Sequence, residues 1–129
     1  MGTGLPFAIA AKLERPDREV VCVCGDGGLQ MYAGELATAT RNGLKLTVLL
    51  MSDGALSSIK VKQVRADYPS MGVEFPKPGW QSLAAAYGFR YARVGQRSAC
   101  ADALHEALAG PEPTLIEACI DPEEYNTTQ

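Results

Sequence analysis

Short apolar runs alternate with helical segments along the whole chain. This alternation restricts the possible folds more than any other feature of the sequence. The strand-length runs are rich in valine, leucine and isoleucine, which is typical of strands buried on both faces. They lie at residues 19–24, 45–51, 89–94 and 114–120. Helical spacing or capping signals occupy residues 5–14, 29–40, 81–87 and 98–109. The pattern predicts an α/β fold of three αβα layers around a mainly parallel, doubly wound sheet.

Several element boundaries can be predicted from individual residues. Asn42-Gly43 and Gly88 end helices, and Ser98 is expected to cap the helix that runs to residue 109. Residues 64–79 contain three prolines and two glycines, which predicts a long loop. Loops of that length in compact domains are usually functional or disordered. Phe75 and Trp80 beside this loop either line a substrate channel or pack the loop onto the core.

Length and charge restrict the class of protein. A chain of 129 residues fits one domain, and its net charge of −3 is spread without long runs of one sign. Nucleic acid and anionic membranes are therefore not expected as main partners. No apolar stretch reaches the roughly 18–20 residues of a membrane span, and no signal peptide is visible, so a cytoplasmic location is expected.

The four cysteines do not have the spacing of a typical metal site. Cys22 and Cys24 alternate with valines in a predicted strand, so they are interpreted as small hydrophobic residues on one face. Metal sites more often use Cys-x-x-Cys, and the single histidine, His105, is expected on a solvated helix surface.

A glycine-rich turn with one carboxylate separates the first predicted strand from the next helix. This turn reads Gly25-Asp26-Gly27-Gly28. In open parallel sheets, ligands bind outside the carboxyl ends of strands, and a glycine-rich turn at a helix start can accept a phosphate. Asp26 would repel that anion, which indicates a Mg²⁺ ion bridging the carboxylate and the phosphate oxygens. The same tripeptide also forms ordinary turns, so it is weak evidence alone.

A second strand-end turn strengthens this interpretation. The next predicted strand ends in Met51-Ser52-Asp53-Gly54, which again carries oxygen ligands. The carboxyl ends of parallel strands lie at one edge of a sheet, so both turns can share one cation.

These turns resemble the thiamine diphosphate motif, in which Gly-Asp-Gly is followed, after a helix and a strand, by one or two asparagines. The helix at residues 35–39 reads ELATA, and the second turn lies at residues 52–54. The opening MGTGLP, residues 1–6, is similar to the start of this region in acetolactate synthases and related 2-oxoacid decarboxylases. Residues 113–117, PTLIE, match their last strand, so the resemblance covers almost the whole chain.

The resemblance implies a role for each matching residue. Asp26 would bind Mg²⁺ through its carboxylate and Gly54 through its backbone carbonyl, while Gly27 and Gly28 would hold the diphosphate. Met1 would support the thiazolium ring and keep the cofactor bent. The implied cofactor-binding set is Met1, Gly25, Asp26, Gly27, Gly28, Ser52, Gly54 and Ala55, with Asp26, Ser52 and Gly54 as metal ligands.

The sequence departs from the family pattern at several positions. Ser52 stands where asparagine is usual and is a poorer ligand for a hard cation, unless Asp53 substitutes for it. Gly28 replaces a frequent serine. The glutamate that pyruvate decarboxylases carry near Ser58 is absent, which argues against that branch. Glu35 is interpreted as a structural residue in the middle of a helix, so no catalytic base is expected in this chain.

The resemblance implies that residues 1–129 form the diphosphate- and Mg²⁺-binding domain of a thiamine-diphosphate-dependent lyase or transferase. Such an enzyme would decarboxylate 2-oxo acids or join their acyl fragments to carbonyls. The domain is expected to be truncated at its N-terminal edge. The base would lie on the absent pyrimidine-binding domain, with which this chain would associate in a homo-oligomer. Whether FAD accompanies the cofactor stays open. The alternative is a non-catalytic binding or oligomerisation module whose cofactor site has decayed through Ser52. A receiver-like signalling domain is set aside, because it would need an acidic cluster near the first strand and a lysine after the last strand, and neither is found at the right place.

Overall fold

Four parallel strands form one sheet in the spatial order β1-β2-β4-β3. They are β1 (Val21–Gly25), β2 (Thr47–Ser52), β3 (Arg90–Val94) and β4 (Thr114–Cys119). A computed structural model describes residues 1–122, so residues 123–129 of the predicted domain lie outside the described part. The parallel sheet confirms the predicted α/β class.

Six helices accompany the sheet in the described residues. They are α1 (Gly4–Glu14), α2 (Asp26–Tyr32), α3 (Glu35–Arg41), α4 (Ser57–Arg65), α5 (Trp80–Ala86) and α6 (Arg97–Ala109). Helices α1, α2, α3 and α5 contribute to the larger apolar cluster on one face, and α6 packs in a smaller cluster on the other. The three-layer arrangement is thereby confirmed. No helix in residues 1–122 is both long and apolar enough to cross a bilayer.

Strand β2 shows how the sequence pattern creates the two clusters. Successive side chains of a strand point to opposite faces. Val48 and Leu50 accordingly lie in the larger cluster, and Leu49 and Met51 pack against the smaller one. Each fully buried aliphatic side chain of this kind contributes about 1.5–3 kcal/mol through the hydrophobic effect.

Strand β1 lies at the edge of the sheet and is buried on one face only. Cys22 is buried beneath α1, whereas Val21 and Val23 are 37% and 62% exposed. The prediction of burial on both faces is wrong for this strand. The reason is that α6 packs on β2, β3 and β4, and no other described element covers the outer face of β1.

The helix predicted over residues 29–40 is two helices. α2 starts immediately at Asp26, and the chain breaks at Ala33 and Gly34 before α3 begins. Glu35 consequently lies in the first turn of α3, which corrects its predicted position in the middle of a helix. Acidic residues are favourable in a first turn because they complement the helix dipole.

Two further boundaries differ from the predictions. Helix α6 begins at Arg97 with Gln96 as its N-cap, so Ser98 is inside the helix and does not cap it. Helix α4 occupies residues 57–65, which shortens the predicted loop to residues 66–79. This loop returns to the sheet edge through an isolated antiparallel bridge between Ala55 and Glu74.

Candidate functional site

A cavity of about 380 Å³ lies at the carboxyl ends of β1 and β2. These strands are hydrogen-bonded neighbours, with Gly25 paired to Met51, so the turns that follow them are adjacent. This is the edge at which open α/β sheets bind ligands. Three chain segments line the cavity: residues 1–4, residues 23–28, and most of residues 51–59.

The structure brings six of the predicted site residues to the cavity and leaves two away from it. Those at the cavity are Met1, Gly25, Asp26, Gly27, Gly28 and Ala55. Ser52 and Gly54 are not among the residues that line it.

Asp26 joins the two strand-end turns. Its side chain is buried at 1% exposure. Its Oδ1 accepts a hydrogen bond from the Gly27 N–H at 2.8 Å. Its Oδ2 accepts bonds from the N–H groups of Gly54 at 2.8 Å and Asp53 at 3.2 Å. One carboxylate therefore fixes the position of the β2 turn relative to the start of α2.

The environment of Asp26 is suited to a bound cation. Burial raises the pKa of its carboxyl group, an effect that the amides of Gly54 and Gly27 oppose and that nearby Asp53 reinforces. No salt bridge to Asp26 occurs in the described part of the chain. A buried carboxylate without a cationic partner is costly, so a divalent ion beside it would relieve the cost.

Asp53 is a second carboxylate at the cavity. Its Oδ1 accepts a hydrogen bond from the Ala55 N–H at 3.0 Å, and its Oδ2 accepts one from the Ser57 hydroxyl. These bonds hold the turn between β2 and α4 in shape. The sequence pattern marked Asp53 only as a substitute for Ser52, yet it is Asp53 that lines the cavity.

Neither predicted donor atom of Ser52 and Gly54 lies at the cavity. The Ser52 side chain is fully buried, and its Oγ has no hydrogen-bond partner among residues 1–122. The Gly54 carbonyl accepts the Phe75 N–H at 3.1 Å, toward the other side of the turn. Side chains alternate along a strand, so the orientation of Ser52 away from the cavity follows from the register of β2.

The glycines of the first turn differ in how much space surrounds them. A Cβ atom on Gly27 would lie 2.2 Å from Leu56 Cδ2, which is far inside van der Waals contact. A Cβ on Gly28 would lie 3.6 Å from the Gly2 nitrogen, an ordinary contact, and one on Gly25 would meet nothing within 4 Å. Of these three glycines, only Gly27 is closely packed, and a side chain there would have to displace Leu56.

One thiol lines the cavity, and a second lies two residues earlier on the same strand. Cys24 lines it, and Cys22 is buried beside Cys24 on the same face of β1. The neighbouring Cys22 thiol, burial and the Asp26 carboxylate raise the pKa of Cys24. The prediction that both residues are small hydrophobic side chains of the core agrees with Cys22, which is buried. It does not account for Cys24, which lines the cavity.

The aromatic residues beside the long loop and the single histidine lie outside this cavity. Trp80 is buried in the core, and Phe75 lines a neighbouring cavity of about 290 Å³. Lys60 forms a 2.6 Å salt bridge with Glu74 beside that second cavity. His105 is exposed on α6, as predicted.

Comparison with known proteins agrees with the resemblance of the sequence to thiamine diphosphate enzymes. The family model described as "Thiamine pyrophosphate enzyme, C-terminal TPP binding domain" matches residues 1–118. The isozyme 1 large subunit of acetolactate synthase from Escherichia coli (strain K12) is 36% identical over 132 aligned residues, which cover 96% of this chain. The acetolactate synthase large subunit of Lactococcus lactis subsp. lactis is 35% identical over 127 residues and 97% of the chain.

A solved structure agrees with the sequence relatives. The thiamine diphosphate-dependent 4-hydroxybenzoylformate decarboxylase of Rhodococcus jostii RHA1 superposes with a TM-score of 0.85 at 28% identity, over 95% of this chain and 24% of that one. The chain spans only 22% of the length of the two acetolactate synthase subunits. The match along nearly the whole chain places it, by sequence and by fold, in the thiamine pyrophosphate enzyme family, as its C-terminal TPP-binding domain.

Proposed function

We propose that the cavity binds thiamine diphosphate together with Mg²⁺. The observation that carries this proposal is the buried Asp26 carboxylate, which opens onto the cavity and joins both strand-end turns. When bound, the cofactor supplies a nucleophilic carbon and an electron sink for chemistry on 2-oxo acids. The residues of this chain anchor and orient it.

We assign the metal to Asp26, Asp53 and the Ala55 carbonyl, in place of Ser52 and Gly54. Asp26, Asp53 and Ala55 line the cavity, whereas Ser52 Oγ is buried behind the strand and the Gly54 carbonyl accepts the Phe75 N–H. Carboxylate and carbonyl oxygens suit Mg²⁺, which keeps several waters and adds phosphate oxygens from its substrate. Two carboxylates would also balance the charge of the ion.

The backbone at the start of α2 would hold the diphosphate. The first N–H groups of a helix have no intrahelical acceptor. The Gly27 N–H already donates to Asp26, so Gly28 is the better-placed donor of the pair. Met1, which is 69% exposed and lines the cavity, would support the cofactor ring as the family resemblance implies.

We further propose that the complete enzyme decarboxylates a 2-oxo acid or transfers its acyl fragment, and that the base comes from a pyrimidine-binding domain. Supporting this, the chain spans about a fifth of its acetolactate synthase relatives. Exposed apolar side chains near the cavity, Met1, Met31 and Tyr32, offer a surface for that domain. A homo-oligomer in the cytoplasm is part of the same proposal, and the four free cysteines are in keeping with a reducing compartment.

The alternative of a binding module with a decayed site depended on Ser52. Since Ser52 does not line the cavity, its replacement of asparagine is no reason to expect loss of binding. The two hypotheses still differ in one outcome, because a decayed site would bind no thiamine diphosphate even beside a pyrimidine-binding domain.

Calorimetric titration with thiamine diphosphate and Mg²⁺ tests the proposal. We expect saturable, Mg²⁺-dependent heat in the wild type and in Asp102→Ala, a control for loss of an exposed carboxylate on α6. Asp26→Ala should abolish the heat, and Asp53→Ala should weaken binding more than Ser52→Ala. Equal heat in Asp26→Ala and the wild type would refute the site. If the chain alone gives no heat, the titration is repeated with the pyrimidine-binding domain of a relative present.

A further inference from the structure

The first residue of α4 is hydrogen-bonded to the Asp53 carboxylate. Ser57 is buried, and its hydroxyl donates to Asp53 Oδ2 across the turn between β2 and α4. The other carboxylate oxygen, Oδ1, accepts the Ala55 N–H at 3.0 Å. The last torsion of an aspartate side chain has a broad energy minimum. Bonds to both oxygens therefore restrict a rotation that is otherwise nearly free.

These two bonds are compatible with binding of a cation by the same carboxylate. An ionised carboxylate offers about four lone pairs, and the bonds from Ser57 and Ala55 use one on each oxygen. Asp53 and Ser57 also both line the cavity of about 380 Å³. The carboxylate can thus be held by its own chain and bind an ion in the cavity at the same time.

The neighbouring carboxylate explains why Asp53 needs to be held. The Asp53 backbone N–H donates to Asp26 Oδ2 at 3.2 Å, so the two acidic residues are adjacent. Like charges repel, and a freely rotating Asp53 carboxylate would turn away from Asp26 and from an ion between them. The Ser57 bond opposes this rotation, because turning would break a charge-assisted hydrogen bond. The side chain is consequently in place before an ion arrives.

We propose that Ser57 is a positioning residue for the cation: it holds Asp53 in the orientation that binds Mg²⁺ and does not bind the ion itself. This inference rests on the proposed function, in which Asp26 and Asp53 are metal ligands. Groups that hydrogen-bond to metal ligands typically contribute about 10–100-fold to metal affinity. A bond that only stabilised the turn would contribute to the free energy of unfolding and leave the Mg²⁺ affinity of the folded chain unchanged.

The apparent Kd for Mg²⁺, measured by calorimetry at saturating thiamine diphosphate, tests the positioning role. Ser57→Ala should raise this Kd about 10-fold or more, and Ser57→Thr, which keeps the hydroxyl, should remain within about threefold of the wild type. Ser98→Ala is the matched control, because Ser98 is exposed on α6 and does not line the cavity, and it should bind like the wild type. Urea denaturation verifies that each variant is folded and measures its stability separately.

A double-mutant cycle with Asp53→Ala tests whether Ser57 acts through Asp53. Once the Asp53 carboxylate is removed, Ser57 has nothing to position. Adding Ser57→Ala to Asp53→Ala should therefore change the apparent Kd for Mg²⁺ by less than about twofold. A further loss as large as that in the wild-type background would show that Ser57 acts independently of Asp53, and would overturn the proposal.

Failure of this inference differs from failure of the proposed function. If the wild type binds thiamine diphosphate with Mg²⁺ and folded Ser57→Ala binds Mg²⁺ equally well, the positioning role is wrong and the cofactor site stands. Equal losses in folded Ser57→Ala and Ser57→Thr would also overturn the role of the hydroxyl. A wild type without Mg²⁺-dependent binding, even beside a pyrimidine-binding domain, would refute the proposed function and the positioning role together.

Discussion

Gly27→Ala tests whether close packing explains the glycine in the middle of the first turn. The new methyl group would lie 2.2 Å from Leu56 Cδ2 and 3.6 Å from the Phe75 ring. Leu56 follows β2 and lines the same cavity, and its side chain would have to shift to make room for the methyl group.

The expected loss of stability is the difference between two effects. Overpacking of this kind costs about 1–3 kcal/mol. Replacing a helical glycine by alanine returns about 0.5–1 kcal/mol by restricting the unfolded chain. The net free energy of unfolding should fall by about 0–2.5 kcal/mol, which at roughly 4 °C per kcal/mol for a domain of this size lowers Tm by up to about 10 °C.

The assay is urea denaturation with a control of opposite sign. Gly34 has helical backbone angles, φ −59° and ψ −23°, and no atom within 4 Å of a Cβ position. Gly34→Ala should therefore raise stability by about 0.4–1 kcal/mol. Leu56→Ala removes the clashing atom, so Gly27→Ala should cost less in that background. A gain in stability for Gly27→Ala equal to that of Gly34→Ala, or no rescue by Leu56→Ala, would refute the packing argument.

Three further predictions concern the core, the end of α1 and the pH dependence of stability. Leu36→Ala, at a fully buried position, should lower the free energy of unfolding by about 2–5 kcal/mol in urea; a loss below 1 kcal/mol would contradict the assigned core. The buried Lys12 donates to two backbone carbonyls at 3.1 and 2.6 Å after α1, so Lys12→Ala should cost about 1–3 kcal/mol, unlike the exposed Lys62→Ala. Burial and a hydrogen bond to Glu117 raise the pKa of Tyr91 to about 12. The pKa of tyrosine in the unfolded chain is about 10, so this contribution to stability should hold below pH 10 and be lost as the pH rises toward 12. Thermal melts of Tyr91→Phe should not show this fall in Tm at alkaline pH. A fall that persists in Tyr91→Phe would exclude Tyr91 as its cause.

The sequence was sufficient for the fold class because strand burial and helix spacing are local patterns. The runs that contain β2 and β4 are apolar at successive positions, and both strands are inner strands of the sheet. The same pattern in β1 led to a wrong prediction. Its valines lie at the sheet edge on a face that no described helix covers, and strand order depends on contacts between distant residues.

The site was predictable in part for a similar reason. Gly25-Asp26-Gly27 marks a strand-end turn directly in the sequence, and the structure places all three residues at the cavity. The proposed metal ligands of the second turn depend on which side of β2 faces the cavity, and a shift of one residue reverses that side. The burial of Ser52 and the hydrogen bond of the Gly54 carbonyl are three-dimensional facts with no sequence signal.

The position of β4 in the sheet has a consequence for how the domain is made. β4 is the last strand of the described residues, yet it lies between β2 and β3 and is the sole sheet partner of β3. Before residues 114–119 leave the ribosome, the nascent chain can pair only β1 with β2 and leaves an inner edge of β2 open. Parallel pairing across long sequence separations is slow, and unpaired strand edges promote aggregation. The sheet can therefore close only once residues 114–119 have been made, and a chain that stops before Thr114 is expected to be a substrate for chaperones and proteases.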